Sequence, residues 1–305
     1  MDNVTSSIKK WITQSVWKNA EILNVRPLKG STSSTVLFIR LIVEGKEKEA
    51  VLRIFDNEEW RKEEPDLAIH EAESLRFAAN VAIRTPELIS VDPEGEECGF
   101  PAVVMTKLPG AVILKPNDMT AWIEGMAESL AFIHQYDGDF PWFYQAYTDV
   151  SLFTTPLWTK YSEYWEDSLH YLKKSRPSAN ISFIHRDFHP ANVLWTGDQV
   201  SGIVDWVNAC RGPKGVDVGH CRVNLAMLHG VECADLFLKK YQMKAVDFQY
   251  DPYWDILSLV DILTDPPNVY EGWKAFGITH LTDQMMVERL DEYLFSLWKK
   301  IQNLS

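Results

Sequence analysis

The chain has 305 residues, which is more than one small core needs and is typical of two domains or lobes. Hydrophobic residues make up 46% of it and charged residues 24%, a balance that excludes an intrinsically disordered protein. The net charge of −13 disfavours a nucleic-acid partner and is compatible with a cationic substrate.

The first third of the chain is predicted to be rich in strands. An amphipathic helix over residues 5–20 precedes a β-hairpin with strands Thr35–Val43 and Ala50–Phe55. A helix is predicted over residues 65–79. Two more strands follow it, "ELISVD" and "FPAVVMTKL".

The rest of the chain is predicted to be mainly helical. The segment "LPG" at residues 108–110 breaks the strand pattern. Helices are predicted after it at residues 118–135, 155–175, 217–229, 232–242, 253–263 and 282–302. We therefore predict two lobes, a strand-rich one at residues 1–105 and a helical one at residues 106–305.

Signals for a membrane or for secretion are absent from the sequence. No apolar run approaches the roughly 20 residues that a membrane-spanning helix needs. The first residues show no basic segment followed by an apolar one, so no secretory signal is predicted. Cys98, Cys210, Cys221 and Cys233 form neither a CxxC pair nor a zinc spacing. We interpret them as reduced structural thiols and predict a cytoplasmic protein with no membrane partner.

The segment "FIHRDFHPANVLW", residues 183–195, concentrates polar side chains between two apolar runs. A short predicted strand, Ile181–Ile184, leads to Asp187 and then to Asn192. A second apolar strand, "SGIVDW", follows after a turn and ends at Asp205. Two apolar strands joined by a tight turn are neighbours in space, so we expect these three polar side chains to converge.

These three side chains offer only oxygen ligands, two carboxylates and one amide. Hard oxygen ligands of this kind suit Mg²⁺ and not Zn²⁺. Because Mg²⁺ rarely occupies an all-protein cage, a phosphate group is expected to complete its coordination. A lone Asp and Asn at this spacing are typical of a turn. The prediction of a metal–phosphate site therefore depends on their combination with the second Asp and on the buried flanks.

The pattern "HRDFHPAN", followed by "VDW" with its Asp 18 residues after Asp187, resembles the catalytic and metal loops of the protein-kinase fold. His189, and Trp206 in place of Phe-Gly, make it more similar to the aminoglycoside phosphotransferase and choline kinase family. Five other segments resemble that family in the same order, namely "LKGSTSSTVLFIRL", "AVLRIF", "HEAESLRFAANVAIRTPELISVD", "PAVVMTKLPG" and "MAESLAFIH". The resemblance covers roughly residues 25–225 and implies an α+β, two-lobed protein-kinase-like fold.

The resemblance implies a role for each residue of the loop. Asp187 accepts or orients the proton of the acceptor hydroxyl, whereas Asn192 and Asp205 hold Mg²⁺. ATP or GTP is the implied co-substrate. His189 is interpreted either as a loop scaffold or as a substrate contact. Asp217, in "KGVDVGH", resembles the buried Asp that braces the catalytic loop.

The resemblance also implies a basic residue on the third strand that holds the nucleotide phosphates, and Arg53 stands at that position. Protein kinases use Lys there, but an Arg is always charged and can bind phosphate oxygens through two nitrogens. Its expected partner is a Glu on the next helix. Glu71 shares a stripe with Leu67 and Leu75, where a carboxylate is poorly solvated unless it is paired. Periodicity also allows Glu73, but the resemblance favours Glu71.

The segment "KGSTSST" resembles the nucleotide loop but holds one glycine where protein kinases have three. Its hydroxyl and backbone N–H groups can bind phosphates, although the same residues are typical of a polar hairpin turn. The predicted nucleotide-binding residues are Gly30, Ser31, Thr32, Ser33, Ser34, Arg53, Glu71 and Met105, the last of them in the inter-lobe segment.

Three aromatic runs in the helical lobe are candidates for the acceptor site. They are "FPWFYQAY" at residues 140–147, "YSEYWED" at residues 161–167 and "YDPYWD" at residues 250–255. Aromatic faces with carboxylates nearby bind ammonium groups, so a cationic small molecule is one predicted acceptor. Helix faces packed in the core have the same composition. These runs therefore do not name the acceptor, and the segment after residue 225 carries no motif of the family.

We predict a small-molecule kinase that transfers the γ-phosphoryl group of ATP or GTP to a substrate hydroxyl. A protein kinase is disfavoured, because twelve residues separate Asp205 from Asp217 and no A-P-E follows. That spacing leaves no room for a regulatory activation loop. A catalytically inactive nucleotide-binding module on the same fold is a further hypothesis, which the intact Asp187, Asn192 and Asp205 argue against.

Overall fold

The computed structural model describes residues 5–30, 33–136, 138–174 and 176–303. The chain forms two compact units. Unit 1 comprises Met1–Gly110 and Ser201–Asn208, and unit 2 comprises Ala111–Val200 and Ala209–Ser305.

Unit 1 is built on an antiparallel sheet of five strands in the order β1-β2-β3-β5-β4. The first elements in the chain are α1 (Ser6–Lys10), which continues as a π-helical turn (Trp11–Val16), β1 (Glu21–Pro27), β2 (Thr35–Val43) and β3 (Lys46–Ile54). They are followed by α2 (Glu58–Glu63), α3 (Leu67–Ala78), β4 (Leu88–Asp92) and β5 (Ala102–Thr106).

The β2–β3 hairpin turns at Glu44 and Gly45, which both have a positive φ (51° and 75°). Two residues in the left-handed region match the twist of the flanking strands and set the register in which Val43 faces Lys46. Alternate residues of the hairpin are therefore buried on one face of the sheet. The core on that face includes Trp11, Ile12, Leu37, Ile39, Leu41, Ala50, Leu52 and Ile54.

Unit 2 is mainly helical. Its helices are α4 (Met119–Gln135), α5 (Ser162–Lys174), α6 (Lys214–His229), α7 (Val231–Lys244), α8 (Pro252–Ile262), α9 (Glu271–Ala275) and α10 (Asp283–Gln302). The short strands are β6 (Ala111–Val112), β7 (Ile181–Ile184), β8 (Val193–Thr196), β9 (Gln199–Ile203), which ends in unit 1, and β10 (Cys210–Pro213). β6 pairs with β8 and β7 pairs with β10, both antiparallel. Among the described residues, no helix has the length and apolar character needed to cross a membrane.

The helix α6 is buried on nearly every side, because α7, α8, α10 and β7 all contact it. Gly219 allows the close approach of α8, since a Cβ atom there would lie 2.4 Å from the carbonyl oxygen of Trp254. A substituent at that distance would force the two helices apart. Side chains on α6, including Asp217 and His220, are therefore held on a rigid element.

The predicted elements are mostly confirmed, with two shortened helices. The helix predicted over residues 5–20 is over by Trp17, and Asn19 has a φ of 62°, outside the right-handed helical region. The helix predicted over residues 155–175 begins only at Ser162. Pro156 lies in the irregular segment before it and disfavours helical geometry at the preceding residue.

The predicted lobe boundary differs from the compact units. The first lobe was predicted to end at residue 105, whereas unit 1 also includes Ser201–Asn208. The N–H of Ile203 donates to the carbonyl oxygen of Arg84 at 3.0 Å, which ties this distant segment to unit 1. Asp205 therefore belongs to unit 1 and not to the helical part of the chain.

Candidate active site

In unit 1, the guanidinium of Arg53 is held by side chains from three separate segments. Its Nη1 donates to Glu71 Oε1 at 3.0 Å and to Asp205 Oδ1 at 2.6 Å, and its Nε donates to Ser34 Oγ at 2.9 Å. The Arg53 and Glu71 side chains are almost fully buried, whereas 34% of the Asp205 side chain is exposed. Asp205 is therefore the charged member of this group that a dissolved ligand reaches most easily.

The phase of α3 selects Glu71 over Glu73 as the partner of Arg53. Glu71 lies on the buried face of the helix with Leu67 and Leu75. Glu73 is half-exposed and forms an ion pair with Arg76 on the same helix. A two-residue step turns a helical side chain by about 200°, so only one of the two Glu side chains can face the sheet.

The Arg53 group carries one negative charge in excess when both carboxylates are ionised. Burial would lower the pKa of Arg53, but Asp205 and Glu71 hold it above its ordinary value. Burial raises the pKa of Glu71, Arg53 opposes that rise, and Asp205 adds to it. Among the described residues, Glu71 Oε2 is buried without a hydrogen-bond partner. The excess negative charge favours binding of a cation.

The backbone at Asp205 adopts the left-handed region, with a φ of 68°. This conformation costs a residue with a Cβ about 1 kcal/mol or more and is concentrated at functional sites. The indole Nε1–H of Trp206 donates to the carbonyl oxygen of Ile203 at 3.0 Å and fixes the turn. A strained turn after β9 thus sets the orientation of the Asp205 carboxylate.

In unit 2, the carboxylate of Asp187 is surrounded by nitrogen atoms. His220 Nε2 lies 3.1 Å and His189 Nε2 3.7 Å from Asp187 Oδ1. The Asn192 amide donates to Asp187 Oδ2 at 3.1 Å and to the Asp187 carbonyl oxygen at 2.9 Å. Because the Asn192 nitrogen is bound to Asp187, the side-chain oxygen of Asn192 is the atom with which it can bind another ligand.

The environment of Asp187 keeps its carboxylate ionised. Burial would raise its pKa, but the positive charge of His189 and the hydrogen bond and charge of His220 lower it well below the ordinary value. Asp187 is therefore a fixed negative charge near neutral pH, and it also lines a cavity of about 240 Å³.

Asp217 on α6 braces the loop that carries Asp187. Its carboxylate accepts hydrogen bonds from the backbone N–H groups of His185 at 2.8 Å and Arg186 at 2.6 Å. Arg186 has a φ of 67°, so these bonds hold a strained residue in place immediately before Asp187. The brace fixes the backbone of the loop without touching the Asp187 side chain.

A second layer of buried polar groups supports Asp217. His134 Nε2 lies 3.0 Å from Asp217 Oδ2, and His134 Nδ1 lies 2.6 Å from the hydroxyl of Tyr241. Burial lowers the pKa of His134 despite the adjacent carboxylate, and burial raises the pKa of Tyr241. The ring is therefore neutral, with Nε2–H donating to Asp217 and Nδ1 accepting from the Tyr241 hydroxyl.

We expect His134→Ala to lower the free energy of unfolding by about 2–3 kcal/mol, because it removes one hydrogen bond to buried Asp217 and the hydrogen-bond partner of the buried Tyr241 hydroxyl. The wild-type protein should also lose stability in acid through this residue. Its folded pKa is depressed, so its contribution is present above the unfolded value of about 6.5 and is lost as pH falls through the folded value. Urea unfolding at several pH values measures both effects. His170→Ala, at an exposed position on α5, is the matched control, and equal midpoints for the two variants would contradict the brace.

Comparison with known proteins identifies the family. The model of the APH phosphotransferase enzyme family matches residues 24–259, well over half of the chain. The chain belongs to this family. The homoserine kinase of Brucella ovis is 30% identical to this chain over 140 residues, and the match spans 42% of each chain. The chain thus matches less than half the length of these curated relatives.

Solved structures share the fold of this chain along nearly its whole length. The gentamicin complex of APH(2'')-IIa is 16% identical with a TM-score of 0.58, and 96% of this chain and 97% of that chain are covered. Amicoumacin kinase hAmiN, in complex with AMP-PNP, Ca²⁺ and Ami, is 14% identical with a TM-score of 0.57, and 90% and 88% of the two chains are covered. The predicted kinase-like α+β fold is therefore confirmed.

The described residues that were predicted to bind the nucleotide lie in unit 1, on β3, on β5, on α3 and in the segment between β1 and β2. Gly30 has a φ of 92°, a conformation that suits glycine. Met105 is buried on β5 and faces Val51 of β3. Ser31 and Thr32 lie outside the described residues.

Sequence reasoning missed three residues of unit 2, namely His134, His220 and Tyr241. Each is separated by at least 30 residues from its partner, so no local spacing could have linked them. Two of the predicted aromatic runs also have structural partners. Tyr164 packs against Trp298 with ring centroids 4.5 Å apart, and Tyr250 donates a hydrogen bond to buried Asp255.

Proposed function

We propose that this phosphotransferase is a small-molecule kinase that transfers the γ-phosphoryl group of ATP or GTP to a hydroxyl group. The observation that carries the proposal is Asp187, a partly exposed and ionised carboxylate at the wall of a cavity in unit 2. In the reaction, the acceptor oxygen bonds to the γ-phosphorus, the bond to the β-phosphate oxygen breaks, and the hydroxyl proton is released.

In this proposal Asp187 orients the acceptor hydroxyl and receives its proton as the new bond forms. His220 and His189 keep the carboxylate ionised, and the Asn192 amide fixes its rotation. A carboxylate with a depressed pKa is a weak base. Its main contribution is therefore positioning, with proton acceptance late in the transfer.

We propose that Arg53 binds the nucleotide phosphates, together with the loop that contains Gly30, Ser33 and Ser34. Its guanidinium is buried and already aligned by Glu71 and Ser34, so little side-chain entropy remains to be lost on binding. The AMP-PNP complex of amicoumacin kinase supports ATP as the co-substrate.

We propose Asn192 and Asp205 as the residues that hold Mg²⁺. Both supply oxygen atoms, which are the ligands that this cation prefers. The excess negative charge around Arg53 also favours a cation at Asp205. When bound, Mg²⁺ neutralises charge on the transferring phosphate. The residues of this chain therefore fit the metal that the resemblance implies.

Glu71→Gln should lower kcat/KM for ATP roughly ten- to hundredfold, because the buried guanidinium of Arg53 loses a charged hydrogen-bond partner. Glu73→Gln is the matched control on the same helix and should change it little. Combining each variant with Arg53→Met separates a partner from a bystander, since only partners couple. Additive effects for both pairs, measured as kcat/KM for ATP, would exclude Glu71 as the brace of Arg53.

The alternatives are less well supported. Between Asp205 and Asp217 the chain forms β10 and then enters α6 at Lys214, which leaves no activation loop for a protein kinase.

All four cysteines are free and buried, and with the charge of −13 they support a cytoplasmic protein without a nucleic-acid partner.

The function is tested by incubating the protein with ATP, Mg²⁺ and a panel of hydroxyl compounds that includes aminoglycosides, macrolides, choline and sugars. ADP release shows turnover, and ³¹P NMR identifies the phosphate monoester. Acceptor-stimulated ADP release supports the kinase. Nucleotide binding without any turnover would instead favour an inactive nucleotide-binding module.

A further inference from the structure

The cavity that Asp187 lines lies within unit 2 and has a volume of about 240 Å³. Its other walls come from α6, α9, α10 and the segment that follows α8. It therefore uses the part of the chain after residue 225, where the sequence carries no recognisable motif. At about 30 Å³ for each water in the liquid, its volume suits an inserted group on the order of ten non-hydrogen atoms.

Most of the cavity wall is apolar. The apolar side chains that line it are Met227, Ile262, Leu263, Pro267, Trp273 and Leu290. Trp273 and Leu290 are almost completely buried, so their positions are set by core packing. A hydrocarbon group in this cavity would leave water for an apolar surface, at a gain of roughly 25 cal/mol per Å².

The charged side chains that line the cavity also limit which groups it can bind. In the described part of the chain, Asp187 is the only carboxylate that lines it, and no Lys or Arg does. The Asp187 carboxylate is already paired with His220 and Asn192. The imidazoles of His189 and His220 also line the cavity, and both already lie against Asp187. An ammonium group in the cavity would thus lose its water without gaining a free carboxylate, and an acceptor carboxylate would meet imidazoles that already interact with Asp187.

The remaining polar side chains suit uncharged groups. Asn224, Thr264, Asn268 and Tyr270 line the cavity with amide and hydroxyl groups. Such groups form directional hydrogen bonds with neutral oxygen or nitrogen atoms. Thr264 and Asn268 are exposed, so they lie where a larger acceptor would emerge from the cavity.

We propose that the group phosphorylated by this protein is a neutral alcohol with an apolar body, and that polycationic and zwitterionic hydroxyl compounds are poor acceptors. The inference rests on the proposed function, in which Asp187 serves the acceptor hydroxyl. The alcohol oxygen bonds to the γ-phosphorus, ADP leaves, and the alcohol proton passes to Asp187 and then to water. The apolar wall, together with the absence of a second carboxylate from the described residues that line the cavity, defines this substrate class.

A matched pair of probes tests the charge preference directly. 3-Phenyl-1-propanol and phenylalaninol differ by one ammonium group, and gentamicin and homoserine extend the comparison to charged acceptors. Phosphate ester formation with MgATP, followed by ³¹P NMR and ADP release, gives kcat/KM for each. We expect the neutral alcohol to exceed phenylalaninol by about tenfold or more.

Asn268→Asp should reduce the ratio of kcat/KM for 3-phenyl-1-propanol to kcat/KM for phenylalaninol by about tenfold. The substitution adds a carboxylate at the exposed rim of the cavity, which favours the ammonium group. Asn303→Asp adds the same charge at an exposed residue that follows α10 and is not one of the residues that line the cavity, and it should leave the preference unchanged. Ile262→Trp, which fills the cavity, should lower kcat/KM for 3-phenyl-1-propanol by about tenfold.

The two hypotheses fail in different ways. Equal or better phosphorylation of phenylalaninol, gentamicin or homoserine would contradict the proposed neutral acceptor class. The same result would still support the proposed kinase activity. An unchanged preference in Asn268→Asp would remove the cavity as the acceptor site. If MgATP released no ADP with water or with any acceptor, the result would contradict the proposed kinase activity. The proposed acceptor class would then be contradicted as well, because it rests on that activity.

Discussion

Asp187→Asn should lower turnover by a factor on the order of 10²–10⁴, the usual contribution of a positioned general base. The substitution keeps the shape of the side chain and an oxygen that can accept from Asn192, but it removes the negative charge. The affinity for MgATP should stay within a few-fold of the wild-type value, because Asp187 is not proposed to contact phosphate. Single-turnover phosphoryl transfer and calorimetric titration with MgATP measure the two quantities separately.

Asp198→Asn provides the matched control for this experiment. Asp198 is an exposed residue in the turn after β8, and its substitution should change neither quantity. Asn192→Ala should instead impair Mg²⁺ dependence and turnover together. Wild-type transfer rates in Asp187→Asn, with chemistry shown to be the slow step, would require another role for the polar loop.

Asp205→Ala should lower the affinity for nucleotide in the presence of Mg²⁺ by more than about 100-fold, since a proposed metal ligand is lost. Without Mg²⁺ the change should be small or favourable, because Arg53 Nη1 is released from Asp205 and becomes available to phosphate. Calorimetric titrations with ATP, in Mg²⁺ and in EDTA, give both affinities. The fold should survive, because the Asp205 side chain is a third exposed and contributes charge more than packing.

Asp198→Ala removes an exposed carboxylate a few residues earlier and should leave both affinities unchanged. The comparison with EDTA is decisive for the role of Asp205. If Asp205→Ala binds MgATP as tightly as the wild-type protein, Asp205 is not a metal ligand. If it loses affinity equally with and without Mg²⁺, its role is to hold Arg53.

Local patterns predicted the elements and the candidate site residues. Two runs of β-branched and apolar residues, Thr35–Val43 and Ala50–Phe55, predicted the hairpin, because such residues favour strands. The spacing of Asp187, Asn192 and Asp205, with apolar runs on both sides, predicted an oxygen-ligand site. Such signals are readable because they depend on neighbours within a few residues.

Alternatives that local periodicity left open were decided by packing. Periodicity allowed either Glu71 or Glu73 to face the sheet, and the rotation of α3 buried Glu71 against Arg53. The aromatic run at residues 250–255 fitted either a binding surface or a core. Tyr253 and Trp254 are buried on α8, so the run contributes to the core of unit 2.

Only the tertiary structure decided which distant groups meet. His134 contacts Asp217 across 83 residues and Tyr241 across 107. Sequence patterns hold no record of such pairs, because a hydrogen bond between distant residues depends on the path of the whole chain. The sequence by itself thus determined the helices and strands through local periodicity, and its motifs predicted the fold class and the candidate chemistry through their resemblance to a known family. The tertiary structure decided the partners of Asp187 and the walls of its cavity, because those contacts exist only once separate helices have packed together.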